Sequence, residues 1–294
     1  MTDENQKSPD KLAGNIAKKE LLIEALSYIG HFKGKIVVIK YGGAAQTDPG
    51  LKESFAQDVV LLQSLGMQPV IVHGGGPEVS RVMESQGLKA EFVDGLRVTT
   101  AEGLAVTEMV LSGQINKDIV ARINASGGWG VGLSGKDGMI LQAHRMQPVN
   151  GVDLGLVGEI EQVHTELITH ILTGGYIHVL SPIGMGSDGT TYNINGDSAA
   201  SRLASALGAE KLVFMTDVDG VLNNGRLVRE MTVAEANAFI ESGVISGGMV
   251  PKVEAMIYCL DHGVKSAQII NGKEPHAIIA ELFTDKGVGT QITP

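Results

Sequence analysis

Two lysines, one aspartate and a set of glycine clusters are the parts of this chain whose types and spacing could do chemistry. Lys40 ends the apolar run "IVVIK", where a charge is costly to bury, and Gly42 and Gly43 follow it. Lys252 enters an otherwise apolar helical stretch through "GGMVPK", in the first turn that the helix dipole makes unfavourable for a cation. Asp197 closes "YNINGD"; in an extended stretch Asn193, Asn195 and Asp197 would share one face. The same residues also read as an Asn-rich loop with Asp197 as a helix N-cap. In "VIVHGGGP" an apolar run ends in Gly74, Gly75 and Gly76, and Pro77 opens a helix. Three adjacent residues without Cβ let backbone N–H groups close on an anion, and the helix N-terminus adds positive potential. A tight turn seldom needs three glycines, so an anion-binding loop is the better reading. His73, just before them, is open to a catalytic or a structural role. Arg97, in "DGLRVT", carries a fork suited to a carboxylate, although a lone arginine is more often a surface residue.

Isolated lysines, glycine loops and a carboxylate suit phosphoryl transfer, where positioning and charge stabilisation dominate. A carboxylate acceptor is already ionised at pH 7 and needs no general base. No His/Cys spacing fits zinc and no GxSxG elbow occurs. Two nucleotide signatures are discounted. "GVGLSGKD" resembles a P-loop, but Asp137 stands where Ser or Thr must hold Mg²⁺, and a strand-like segment follows; a hairpin turn is expected there. "GMGSDG", Gly184 to Gly189, has GxGxxG spacing but runs into "TTYNI" rather than a helix.

The elements that must position these residues alternate between strand and helix. Strands are expected at Lys35–Lys40, Pro69–His73, Tyr176–Leu180, through "KLVFMT" and at Ser266–Ile270, with a last one near Thr290. Asp48 and Pro49 start a helix that buries Leu51, Phe55, Val59 and Leu62 and ends at Gly66. "TTAE", Thr99–Glu102, fits a capping box. Val131 to Val163 reads as short alternating strands. Helices are expected near Thr165–Leu172, Val233–Glu241, Val250–His262 and His276–Phe283. Near-continuous apolar strands alternating with helices imply a mainly parallel α/β sheet covered on both faces, with ligands at the carboxyl ends of its strands. Lys40, His73–Gly76 and Thr216–Asp219 all fall at such ends.

The chain has 294 residues, 43% hydrophobic, enough for one large or two modest domains. Aromatics at 4% and a net charge of -10 argue against nucleic acid and anionic membrane as partners. The single cysteine, Cys259, sits in an apolar run and reads as a buried thiol. The polar start "MTDENQKSPDK" has no secretory h-region and no run is long enough to span a bilayer, so a cytoplasmic location is expected. Residues 1–10 read as disordered, and Leu12, Ile16, Leu22, Leu26 and Ile29 give a helix over Lys11–Phe32 one apolar stripe.

Taken together, "IKYGG", "VHGGGP", "DGLRVT", "GQINKD", "SPIG", "YNINGD", "TDVDGVL" and "GGMVPK" resemble, in order, the amino acid kinase family, over nearly the whole chain from about Leu21. The resemblance implies an open, mainly parallel eight-stranded αβα sandwich with an extra N-terminal helix. It implies transfer of the ATP γ-phosphoryl group to the side-chain carboxylate of N-acetyl-L-glutamate, in arginine synthesis, with Mg²⁺ carried by ATP and no direct protein metal ligand. Lys40 and Lys252 would stabilise the transition state and Asp197 would orient them. Gly42, Gly43 and Gly75 would donate N–H groups to the phosphoryl group. Gly75, Gly76, Arg97, Asn193 and Asn195 would hold the acceptor. Thr216, Asp217, Val218, Asp219, Gly220, Val221 and Leu222, with Val244, Ile245 and Ser246, would hold ATP. Residues 1–33 would serve oligomerisation, 34–208 the acceptor and dimer contacts, and 209–294 the nucleotide. The N-terminal helix resembles one that joins dimers into a hexamer. "EPHAIIAELFTDKGVGT" resembles an arginine effector site, on His276, Glu281 and Gly287. Whether a PII-type protein binds is left open. Gly196 and Pro251 depart from the usual motifs, and Pro251 is compatible with Lys252 only in the first helical turn. The rival readings are a glutamate, aspartate or carbamate kinase of the same fold, and a silent arginine sensor.

Overall fold

A computed structural model describes residue 23 and residues 26–284 and 287–294. The tail of residues 1–10 and most of the helix expected over Lys11–Phe32 lie outside them; residues 26–32 are helical.

The expected alternation forms with shifts of one or two residues. Strand β1 (Ile36–Tyr41) leads through a 3-10 turn (Gly43–Gln46) into α1 (Pro49–Ser64), capped by Asp48 through the Leu51 N–H. Strand β2 (Gln68–His73) runs into α2 (Gly76–Ser85). A small hairpin, β3 (Phe92–Val93) and β4 (Leu96–Arg97), precedes α3 (Ala101–Glu108). The capping box expected at Thr99–Glu102 does not form. Thr100 is the cap and accepts from the Gly103 N–H, which has no side chain to reach back. A π-helical turn (Met109–Ile115) joins α3 to α4 (Asn116–Ala125). Then come β5 (Gly130–Ser134), β6 (Leu141–Arg145), β7 (Val157–Val163), α5 (Glu166–Thr173), β8 (Ile177–Ser181), β9 (Ile183–Met185), β10 (Thr191–Ile194) and α6 (Gly196–Ala206). The last part comprises β11 (Lys211–Thr216), the hairpin β12 (Leu222–Asn223) and β13 (Arg226–Leu227), β14 (Glu230–Thr232), α7 (Val233–Glu241), α8 (Val250–Asp261), β15 (Ser266–Asn271), α9 (Ala277–Leu282) and β16 (Thr290–Thr293).

Eight strands make one sheet in the order β14-β16-β15-β11-β1-β2-β8-β5, parallel at every junction except β15 with β16. Strands from before and after residue 208 occupy opposite halves and meet at β1 and β11. The hairpin expected in "GVGLSGKD" is absent: β5 is the parallel edge of the main sheet, and Asp137 caps the turn after it by accepting from the Ser134 N–H and hydroxyl. Strands β6, β7, β9 and β10 close a separate four-stranded barrel, which the sequence reading did not anticipate.

Side-chain alternation along β1 sets the site. Val37, Ile39 and Tyr41 join the core under α1 and α9, where Tyr41 stacks on Phe55. Val38 joins the core under α6 and α8, with Leu212, Phe214, Leu203 and Val253. Lys40 shares the parity of Val38, so it leaves the sheet on the side where α6 and α8 begin. Cys259 is buried in that core, and burial pushes its thiol up to about 12.

Candidate functional site

The carboxyl end of β1 opens on a cleft of about 340 Å³. Lys40, Gly42, Gly43, Gly75, Gly76, Arg97, Asn193, Asn195, Asp197 and Lys252 all line it. The sequence reading thus named residues spread over more than 200 positions that the fold gathers at one place.

Asp197 is the centre. Its Oδ1 lies 2.9 Å from the Lys40 ammonium and its Oδ2 lies 2.5 Å from that of Lys252. Burial works to raise the Asp197 carboxyl, and the charges of Lys40 and Lys252 overcome it, holding the group below the usual carboxylate range. Asp197 is not the N-cap of α6. Asn195 is, accepting from the N–H groups of Asp197 and Ser198, which leaves the Asp197 side chain free for the lysines. Pro251 falls in the first turn of α8, where its missing N–H costs nothing, so Lys252 is placed one residue later without strain. Gly196 has room for a methyl group, at an ordinary 3.7 Å from Lys40 Cε.

The glycines beside Lys40 have separate reasons. A Cβ on Gly42 would stand 2.8 Å from the Lys40 ammonium, so the missing side chain is the space the charge occupies. Gly43 has φ +68 and lies against the Asp217 carboxylate, which accepts from the Ala44 N–H at 2.5 Å. That bond ties the turn after β1 to the end of β11. Gln46, which sequence reasoning missed, donates to the carbonyls of Tyr41 (3.1 Å) and Gly74 (3.3 Å), joining the two glycine turns. Nothing in its local sequence marks it.

Arg97 is buried, under the ring of Phe92 at 4.6 Å. It donates to the Gly76 carbonyl and the Ser80 hydroxyl, and burial lowers its pKa. Among the described residues it pairs with no carboxylate, so a buried cation faces the cleft with neutral partners only. Asn193 donates to the Thr99 hydroxyl, which holds the Arg97 carbonyl. His73 is fully buried behind the cleft rather than in it.

The ten residues assigned to the nucleotide do not line this cleft. Thr216 ends β11 and the chain runs on from it to Leu222, with Thr216 and Val221 buried and Val218 and Leu222 exposed; Ile245 is buried ahead of α8. Asp219 accepts from Asn271, and Lys273 donates to the Asp217 carbonyl. A second cavity of about 830 Å³ lies at the other end of the sheet, lined by Glu281, Gly287, Lys211, Gln268 and, from the N-terminal helical segment, His31 and Phe32. His276 is not part of it: its Nδ1 sits 2.6 Å from Asp58 on α1. The His276 backbone is left-handed there, at φ +57.

The described residues hold no group of three or more His, Cys, Asp or Glu side chains able to bind a metal, and no helix among them is long and apolar enough to cross a membrane.

The model of the amino acid kinase family matches residues 35–271. The acetylglutamate kinase of Methanocaldococcus jannaschii is 51% identical over 95% of this chain and 97% of its own. That of Thermoanaerobacter pseudethanolicus is 48% identical over 96% and 95%. Among solved structures, N-acetylglutamate synthase from Neisseria gonorrhoeae complexed with coenzyme A and N-acetyl-glutamate superposes with a TM-score of 0.85 at 29% identity, over 94% of this chain. A complex of that synthase with coenzyme A and L-arginine gives 0.80 at 28%. This chain spans 63% and 65% of those two synthase chains. Giardia carbamate kinase, at 19% identity and 0.64, shares the fold.

Replacing Asp197 by Asn should lower stability at pH 7, because two ammonium groups would face each other across a neutral amide. The ionised carboxylate contributes above its unfolded pKa of about 3.9 and that contribution is lost as pH falls through its lower folded value. Urea unfolding of both proteins should therefore give a gap at pH 7 that closes below about pH 4. A pH-independent gap would contradict the charge argument.

Proposed function

The chain belongs to the amino acid kinase family, and on that premise we propose its reaction and the division of labour in its cleft. It phosphorylates the side-chain carboxylate of N-acetyl-L-glutamate with ATP, a step of arginine biosynthesis. A carboxylate oxygen forms a bond to the γ-phosphorus as the bond to the β-γ bridging oxygen breaks, giving N-acetyl-L-glutamyl 5-phosphate and ADP. The observation that carries this reading is one buried carboxylate holding two ammonium groups beside a glycine-lined cleft, in a chain 51% identical to an acetylglutamate kinase.

The acceptor is ionised at pH 7, so the cleft needs charge and position rather than a base. Lys40 and Lys252 offset the negative charge on the oxygens of the transferring group, and Asp197 keeps their ammonium groups fixed on either side. The N–H groups of Gly42, Gly43 and Gly75 add donors. Arg97 takes a carboxylate of the acceptor, which gives its buried guanidinium the anionic partner it lacks. Asn193, Asn195, Gly75 and Gly76 complete the acceptor side. Residues Thr216–Leu222 and Val244–Ser246 hold ATP from the β11 side, and Mg²⁺ enters as the ATP complex. Residues 34–208 thus serve the acceptor and 209–294 the nucleotide.

We further propose arginine as an effector of the C-terminal cavity. Glu281 is buried there, and its Oε2 already accepts from the N–H groups of Val288 and Gly289. The Gly287 carbonyl accepts from the guanidinium of Arg229 at 3.1 Å, so its setting suits that donor. An arginine complex of a similar synthase supports this reading. His276 stands outside that cavity, against Asp58, so the proposal rests on Glu281 and Gly287. Residues 1–33 would join dimers into a hexamer, and the setting is cytoplasmic; a PII-type partner has no feature here that argues for it.

With ATP, Mg²⁺ and hydroxylamine, N-acetyl-L-glutamate should yield a hydroxamate, and free glutamate and aspartate should yield far less. Equal yields from free glutamate would assign the cleft to another acceptor. In the same assay Lys40→Met should lower kcat by roughly 10²–10³, as for loss of one preorganised donor. A loss below about tenfold would remove Lys40 from the reaction. Glu281→Gln should raise the arginine concentration needed for half-inhibition at least about tenfold without changing kcat, as expected when a charged hydrogen-bond partner is lost. Unchanged sensitivity would place the effector elsewhere.

A further inference from the structure

One peptide unit behind the cleft is aimed by a side chain that never enters it. The unit joining Gly74 to Gly75 is trans and planar, so its C=O and N–H point in opposite directions. The Gly74 carbonyl accepts from His73 Nδ1 at 2.9 Å and from Gln46 Nε2 at 3.3 Å. Holding that carbonyl fixes the direction of the Gly75 N–H on the far side, and Gly75 lines the cleft.

The imidazole is itself oriented. A carbonyl can only accept, so Nδ1 carries the proton and Nε2 is bare. Nε2 lies 3.3 Å from the Asn116 amide nitrogen. The two hydrogens of that amide are shared among Nε2 and the carbonyls of Val179 (3.1 Å) and Leu133 (3.3 Å), while its oxygen accepts from the Lys117 ammonium at 3.0 Å. Carbonyls on one end and an ammonium on the other leave the amide a single sensible orientation. Burial brings the His73 pKa down to about 4, so the ring is neutral at pH 7. The π-turn ends at Asn116 and points it into the core; turns of this kind often mark functional sites. The same turn closes on Gly75, where a Cβ would collide with Leu111 and Ile115.

We propose that His73 is a positioning residue: its Nδ1–H tautomer, set by Asn116, anchors the Gly74 carbonyl and so directs the Gly75 N–H at the phosphoryl group in transfer. The aim at a phosphoryl group rests on the reading of the cleft given above. His73 moves no proton, and the "GQINKD" segment serves the loop "HGGGP" from behind.

Two substitutions separate positioning from packing. Asn places an amide nitrogen where Nδ1 stands; Gln extends to the Nε2 position and gives up the bond to Gly74. His73→Asn should keep kcat within about threefold, and His73→Gln should lower it about tenfold or more, each with KM for the acceptor little changed. The smaller Asn leaves the larger void and should have the lower Tm. Activity and stability then rank the two variants in opposite order. Equal kcat values, or kcat values that follow Tm, would overturn the proposal. If either variant fails to fold, two-bond ¹H–¹⁵N spectra of the unsubstituted protein at pH 7 decide: a bare Nε2 on His73 supports it, and an Nε2–H tautomer or an imidazolium overturns it. Failure of the unsubstituted protein to form an acyl phosphate would instead count against the transfer reading, which the spectra do not test.

Discussion

One carboxylate between two ammonium groups is the arrangement on which the rest of this molecule depends. Two ammonium groups held by one carboxylate repel each other, and a partly desolvated site strengthens that repulsion over its value in water. Asp197 outweighs this with two contacts of 2.9 and 2.5 Å. The result is a compact site of net charge +1 in a chain of net charge -10. Removing the carboxylate would leave two partly buried cations unpaired, the costly way to break such a set. The three side chains hold one another by their own contacts.

The three residues come from positions 40, 197 and 252, and the sheet makes them neighbours. β1 lies between β11 and β2 near the middle of the sheet, so its carboxyl end is flanked by both halves of the chain. Strand parity sends Lys40 to the face covered by α6 and α8, which pack against one another through Ala199, Leu203, Val253 and Met256. Both helices begin at the cleft, and their first turns carry Asp197 and Lys252. Their N-termini favour negative charge there, which stabilises Asp197 and works against Lys252. Contact with Asp197 offsets that penalty, and this is why a lysine in a first turn looked out of place in the sequence.

Much of this was legible beforehand. Long apolar strands, the Asp48–Pro49 helix start and the glycines after β1 and β2 carry strong local signals, and the fold follows them. The two lysines were visible because charge is rare where they stand. The reading failed where local signals are shared between structures. "GVGLSGKD" has turn residues that fit a hairpin, but β5 pairs with β8, some forty residues away, and no local pattern encodes that partner. Asn195 and Asp197 are both good caps, and only the bonds to the Asp197 and Ser198 N–H groups decide between them. His276 lies near Glu281 in sequence, yet its side chain meets Asp58. Gln46 and Asn116 act through carbonyls far along the chain, where sequence spacing is silent.

The four-stranded barrel gives the cleft a second frame. Lys40 and the glycine turns hang on the main sheet, whereas Asn193 stands on β10, which pairs with β7 and β9 and with no strand of that sheet. Asn193 then reaches Thr99, whose hydroxyl holds the Arg97 carbonyl, so the barrel also supports Arg97 in the cleft wall. A short segment joins barrel and cleft: within five residues β10 ends at Asn193 and Ile194, Asn195 caps α6, and Asp197 meets both lysines. The lysine-bound carboxylate and the Asn193 amide are therefore spaced by a strand end and one helical turn. The place of Asn193 in the cleft and the charge balance of the lysines are in this way set by the same few peptide units.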